Sequence, residues 1–250
     1  MATFLLVHGA WHGAWCWEKI EPLLREAGHK TVAPDLLGMG KDPTPLSEVS
    51  VEAWAEQVAE LARLQVEPPI LVGHSRAGIV VSRAAELAPG AIACLVYLAA
   101  FLPTPGVSLA ELMRRIPPRP ESEGSLQLSE DGSLSSIAPD AVRRIFYNDT
   151  PDPLVARAAQ LSGPEPMASF TSPARTSWER WGKIPRYYIE CTNDRAIAPR
   201  LQEIMYSEAP CRRVFSLSSD HSPFYSAPGE LAACLLDVAA DVSAGLGAEA

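Results

Sequence analysis

The sequence predicts one α/β domain with a mainly parallel central sheet of about six strands flanked by helices. Three observations carry this expectation. Short β-rich apolar runs alternate with longer stretches of helical period, which is the signature of βαβ units. The length, 250 residues, suits a single large core. The composition, 47% hydrophobic and 20% charged, is that of a folded globular chain.

In chain order the strands are expected at Thr3–His8, Lys30–Pro34, Ile70–His74, Ala93–Ala99, Arg186–Cys191 and Arg212–Leu217. Helical patterns lie between and after them. They run over Trp15–Ala27, closed by Gly28; over Val51–Val66, with Ser50 placed to cap the amino end; and over Ala77–Leu87, Pro199–Ser207 and Gly229–Val242. After Phe101 the alternation fails. Prolines cluster at Pro117, Pro118, Pro120, Pro151, Pro153, Pro164 and Pro166 among short helical pieces. The expected organisation is a core made of 1–102 and 186–250, with 103–185 inserted as a mainly helical cap over one end of the sheet. Within it, Gly124–Ser136 reads as a small hairpin or a mobile loop.

A formal charge of -9 with no basic run argues against a nucleic-acid partner, because phosphate binding needs clustered Lys and Arg. The opening Met1-Ala-Thr-Phe-Leu-Leu-Val-His-Gly9 has no basic leader, and its apolar run breaks too early for a signal peptide or membrane span. It reads as a buried strand. The five cysteines are odd in number and lack metal-ligand spacing, so neither a disulfide framework nor a zinc site is expected. The expected setting is the cytoplasm, without cofactor or metal. A homodimer is left open.

The chemistry concentrates in Ile70-Leu-Val-Gly-His-Ser-Arg-Ala-Gly78, an apolar strand running straight into a helix with Ser75 at the bend. A nucleophile elbow has this form, and it needs small neighbours because backbones pass close by. Gly73 fills the first small position, while Ala77 stands where glycine is commoner. Glycines of a plain βα turn would give a similar string. A serine hydroxyl also needs an imidazole to take its proton and a carboxylate to orient that imidazole. His221, the one histidine beyond Ser75, follows the last predicted strand, and Asp194 follows the strand before it. The order Ser, Asp, His at strand ends matches an α/β-hydrolase fold, whose ligands bind outside the carboxyl edge of the sheet. Asp35 reads instead as a turn organiser, and Asp220 is too close in sequence to fold back on His221.

An oxyanion would be met by the backbone N–H groups of Ala10 and Arg76. The Arg76 side chain has two readings, contact with a polar substrate group or pairing with an acid on the cap or a helix. Trp11 and His74, with Phe170, Trp178 and Trp181 of the insertion, are the candidate pocket residues.

Phe4-Leu-Leu-Val-His-Gly-Ala-Trp-His-Gly-Ala-Trp-Cys-Trp17, Leu23–Asp35, Val72–Gly78, Leu98–Pro103 and Ser219-Asp-His-Ser-Pro-Phe-Tyr-Ser226 together resemble the plant methylesterase and hydroxynitrile lyase family and its bacterial esterase relatives. The resemblance implies a cofactor-free enzyme with a small-molecule ester substrate, cleaved through an acyl-enzyme, or in one branch a lyase that releases cyanide from cyanohydrins. Lyases resembling the rubber-tree type carry threonine where this chain has Gly9 and lysine where it has Ser222, so the esterase branch is expected. A ligand receptor with little turnover is the binding-module alternative on the same fold.

Overall fold

A computed structural model describes residues 1–246, with side chains described as far as 245. Its main sheet has six parallel strands: β1 (Thr3–Val7), β2 (Lys30–Val32), β3 (Ile70–His74), β4 (Cys94–Leu98), β8 (Arg186–Cys191) and β9 (Arg213–Leu217), in the order β2-β1-β3-β4-β8-β9. Every residue of β1, β3 and β4 is buried, as expected of strands covered on both faces. The second strand stops at Val32, two residues short of the expected Pro34, because proline has no N–H to continue the ladder.

Helices α1 (Ile20–Glu26), α2 (Val51–Arg63), α3 (Ala77–Leu87), α8 (Pro199–Glu208) and α10 (Pro228–Leu246) cover the sheet. The crossover from β1 to β2 runs in the opposite direction to all the others, so right-handed connections put α1 on one face and α2, α3 and α8 on the other. Helix α10 returns to pack on α1, and α2 packs on α3. Ser50 caps α2 as expected, its hydroxyl accepting the Ala53 N–H at 3.1 Å. The helix expected over Trp15–Ala27 is split, with a 3₁₀ turn at Ala14–Trp17 preceding α1. Among the described residues no helix is long and apolar enough to cross a membrane.

Residues 103–185, between β4 and β8, carry short helices α4 (Leu109–Met113), α5 (Pro139–Ala141), α6 (Asp152–Leu161) and α7 (Ala168–Thr171). They also hold a three-stranded antiparallel sheet, of which the sequence-based expectation included only a hairpin as one of two readings: β5 (Leu126–Leu128), β6 (Leu134–Ile137) and β7 (Glu165–Pro166). Gly124–Ser136 therefore contains a hairpin. Asp131 ties its turn by accepting the Ser133 N–H at 3.0 Å, next to Gly132 at φ +69°. A last short helix, α9 (Pro223–Ser226), follows β9.

Candidate active site

The elbow after β3 is held from several sides. Ser75 adopts φ +55°, in the left-handed region that side chains disfavour, while its N–H donates to the Leu98 carbonyl and its own carbonyl accepts the Gly78 and Phe101 N–H groups. The approach is closest at Gly78, where an added Cβ would lie 1.7 Å from the Phe101 carbonyl oxygen, and at Gly73, where it would meet Val81 at 2.8 Å. Ala77 is fully buried yet accommodated. The glycine missing from the motif is thus one that this elbow does not need. Trp11 at φ +61° and Ala99 at φ +41°, just beyond β1 and β4, share the left-handed geometry, so backbone strain gathers along this carboxyl edge.

The structure brings Ser75, His221 and Asp194 together. The Ser75 hydroxyl donates to His221 Nε2 at 2.9 Å, and His221 Nδ1–H donates to Asp194 Oδ2 at 2.8 Å. All three side chains are buried. Asp194 is fixed in turn, because Oδ1 accepts the Ala196 and Ile197 N–H groups at 2.7 and 2.8 Å and the Gln202 amide donates to Oδ2 at 3.2 Å. Asp220 is occupied elsewhere. It accepts from the Asp149 N–H, the Thr150 hydroxyl, the Ser222 N–H and the Ser226 hydroxyl, which ties the histidine loop to the insertion.

The loop after β1 carries Ala10. Gly9 there has no room for a side chain, since a Cβ would lie 2.9 Å from both His74 Nδ1 and the Ser75 Cβ. Two neutral histidines shape the loop. His8 Nε2 accepts the Leu36 N–H at 3.1 Å, so the proton sits on Nδ1 and is donated to the Gly9 carbonyl at 2.9 Å. His12 Nδ1–H donates to the Ala10 carbonyl at 2.6 Å, and its Nε2 accepts from the Tyr147 hydroxyl at 2.5 Å. Burial, the largest cause, pushes His8 down to about 3 and His12 down to about 4. Among the described residues, neither the Ala10 nor the Arg76 backbone N–H is donated to another protein group. Asp35 does organise the neighbouring turn, accepting the Ala14 N–H at 2.6 Å and the Lys41 N–H at 3.1 Å.

Above Ser75 lies a cavity of ≈ 230 Å³, lined mainly by Trp11, Phe101, Ile145, Phe146, Met167 and Phe170. Trp11 and Phe170, stacked with ring centroids 5.7 Å apart, are the expected pocket residues that line it. The other three do not. His74 is fully buried behind the histidine loop, where its Nε2–H donates to the His221 carbonyl at 2.8 Å, and burial holds the ring well below its ordinary pKa. Trp181 is fully buried against the core, its indole N–H donating to the Tyr97 hydroxyl at 2.9 Å with the Arg186 guanidinium 4.6 Å above its ring. Trp178 leans on Trp181 and is 44% exposed. Both tryptophans close the end of the insertion onto the sheet, and neither lines the cavity. Arg76 takes the second of its two readings. Its side chain is fully buried and pairs with Glu165 of β7, Nε to Oε1 at 2.8 Å, with its guanidinium 4.2 Å over the Trp54 ring.

Sequence reasoning missed Gln202, Glu165 and Arg195. Arg195 lines the cavity as its one cationic residue among those described, exposed and donating to the Arg144 carbonyl at 3.4 Å. No spacing rule marks any of the three. Among the described residues no group of three His, Cys, Asp or Glu side chains is arranged to hold a metal ion.

A family model described as the Alpha/beta hydrolase family matches residues 4–234. The chain is 32% identical to methyl jasmonate esterase 1 of Vitis vinifera, over 94% of this chain and 95% of that one. It is 30% identical to an alpha-hydroxynitrile lyase of Arabidopsis thaliana, over 95% and 97%. Among solved structures it superposes on a pyrethroid hydrolase from Sphingobium faniae JZ-2 with a TM-score of 0.84 and 30% identity, covering 94% of this chain and 96% of that one. Matched along nearly its whole length by the family model and by relatives over almost their full length, this chain belongs to the alpha/beta hydrolase family.

Proposed function

We propose that this protein hydrolyses a carboxylic ester by acyl transfer through Ser75. One observation carries the reading: His221 bridges Ser75 Oγ and Asp194 at 2.9 and 2.8 Å on the floor of a largely apolar cavity. The serine oxygen attacks the ester carbonyl while its proton passes to His221 Nε2, and Asp194 stabilises the resulting imidazolium through Nδ1–H. The carbonyl oxygen becomes an oxyanion that the Ala10 and Arg76 N–H groups receive. Collapse breaks the ester C–O bond, His221 returns the proton to the departing alkoxide, and the alcohol leaves. Water, deprotonated by His221, then attacks the acyl-serine, and collapse releases the acid as His221 returns the proton to Ser75 Oγ. The residues need no cofactor for these steps.

The cavity favours an ester with an apolar acid or alcohol part that packs on Trp11, Phe146 and Phe170. The similarity to a methyl jasmonate esterase and to a pyrethroid hydrolase supports the ester class. A cytoplasmic setting belongs to the same proposal, supported by five cysteines that are odd in number and lack metal-ligand spacing.

Cyanohydrin cleavage, suggested by the lyase relative, finds less support here. The residue after His221 is the neutral Ser222, fully buried, and Gly9 has no room for the hydroxyl-bearing side chain that the lyase reading places there. Purified protein is expected to turn over methyl and p-nitrophenyl esters and to release no cyanide from mandelonitrile above the spontaneous rate. Cyanide release that outpaces every ester and disappears in Ser75→Ala would put the protein on the lyase branch.

A further inference from the structure

Every other polar backbone group that the structure pairs from the Gly9 carbonyl to the Trp11 carbonyl has a named holder, and two of the holders come from the insertion. The Gly9 carbonyl accepts from His8 Nδ1–H and from the Arg76 guanidinium at 3.2 Å. The Ala10 carbonyl accepts from His12. The Trp11 N–H donates to Glu165 Oε2 at 3.3 Å, and the Trp11 carbonyl accepts the Gly163 N–H at 2.9 Å. Its indole N–H reaches Ser135 of β6 at 3.2 Å. The Ala10 N–H alone is left undonated. Glu165 is the hub. Its carboxylate is fully buried, pairs with Arg76, and is steadied by the Ser169 hydroxyl at 2.9 Å.

From this arrangement we infer that Glu165 is a positioning residue for the oxyanion hole, acting through Arg76 and the Trp11 N–H so that the insertion sets the direction of the Ala10 N–H. The inference rests on the acyl-transfer reading above. The same Arg76 supplies one donor N–H from its backbone and uses its side chain to grip the loop that supplies the other. Charge on both partners matters: a buried carboxylate accepting from a guanidinium and a backbone N–H holds the Trp11 peptide, which sits at φ +61°, more firmly than neutral groups would. Displacing a catalytic donor by an ångström costs far more rate than binding, because the oxyanion exists only near the transition state.

The test replaces the pair by methionines. A buried ion pair exchanged for apolar side chains of similar volume commonly keeps its fold, whereas breaking one partner alone leaves an uncompensated charge. Arg76→Met/Glu165→Met is expected to unfold cooperatively near the wild-type temperature, yet to lose at least about tenfold in kcat with KM within about twofold. It should lose the same factor in affinity for a trifluoromethyl ketone, whose adduct with Ser75 carries the oxyanion. A folded double variant with wild-type kcat and ketone affinity would overturn the inference and leave acyl transfer standing. Should the double variant not fold, Glu165→Asp, which keeps the charge opposite Arg76 and draws the carboxylate back from the Trp11 N–H, is expected to lower kcat about threefold or more at constant KM, and unchanged kcat would overturn it. Absent ester turnover in the wild type, or turnover that persists in Ser75→Ala, would remove the acyl-transfer reading instead.

Discussion

At the scale of residues, the proposed acyl transfer makes Ser75 and His221 act as a unit, so removing either member should forfeit most of the rate. Ser75→Ala and His221→Ala are each expected to lower kcat for a p-nitrophenyl ester by at least about three orders of magnitude, with Asp194→Asn milder, as steady-state kinetics would measure. Specificity should respond at different side chains. Phe170 stacks on Trp11 in the cavity wall, whereas Trp178 lies at the far end of the insertion. Phe170→Ala is therefore expected to reorder kcat/KM across esters of different acid size, while Trp178→Ala leaves the order intact; a reordering by Trp178→Ala would contradict this division. Ser75, Asp194 and His221 were legible because each follows a predicted strand in the required order. Glu165 was not, because it meets Arg76 across 89 positions and no local pattern encodes that meeting. Trp178 and Trp181 misled for a related reason, since sequence gives an aromatic its hydrophobicity and not its direction.

At the scale of elements, the strand-turn-helix from β3 to α3 works because two chain segments nearly touch. The motif drew attention to the missing glycine at Ala77, but the structure puts the critical contact one residue later. Gly78→Ala would drive a methyl group into the Phe101 backbone, which cannot rotate away, and is expected to cost about 3 kcal/mol or more in urea unfolding. Ala77→Gly, at the first position of α3, should cost less than about 1 kcal/mol, since the full glycine penalty belongs to helix interiors, and leave kcat unchanged. Equal destabilisation by the two would show that the close approach is not what the elbow depends on. The main-sheet strands were read to within two residues, since continuous apolar runs leave little choice. In the insertion the hairpin β5–β6 stood only as one of two readings, because β5 is exposed, and its third strand was not expected, because β7 has two residues, one of them a proline, and carries no alternating apolar face.

For the molecule as a whole, the buried histidines tie stability to pH in one direction. His8 and His12 are pushed down to about 3 and about 4 by burial, and His74 is held well below its ordinary value for the same reason. Above about pH 6.5 both the folded and the unfolded chain leave these rings neutral, so they do not alter stability there. As pH falls below that value the unfolded chain takes up a proton at each ring while the folded chain does not, so unfolding becomes progressively easier. Each ring contributes a slope of about 1.4 kcal/mol per pH unit once the unfolded form is protonated, or about 4 kcal/mol per unit for the three together near pH 5. Urea unfolding followed from pH 7.5 to 5 is expected to show little change down to about 6.5 and a steep loss below it. Calorimetry in buffers of differing ionisation enthalpy should register an uptake of up to about three protons on unfolding at pH 5. Because His8 and His12 also hold the Gly9 and Ala10 carbonyls, turnover should fail together with global stability on the acid side. A stability profile flat between pH 7 and 5 would mean that these rings are protonated inside the fold, and the neutral tautomers assigned to the loop would be wrong.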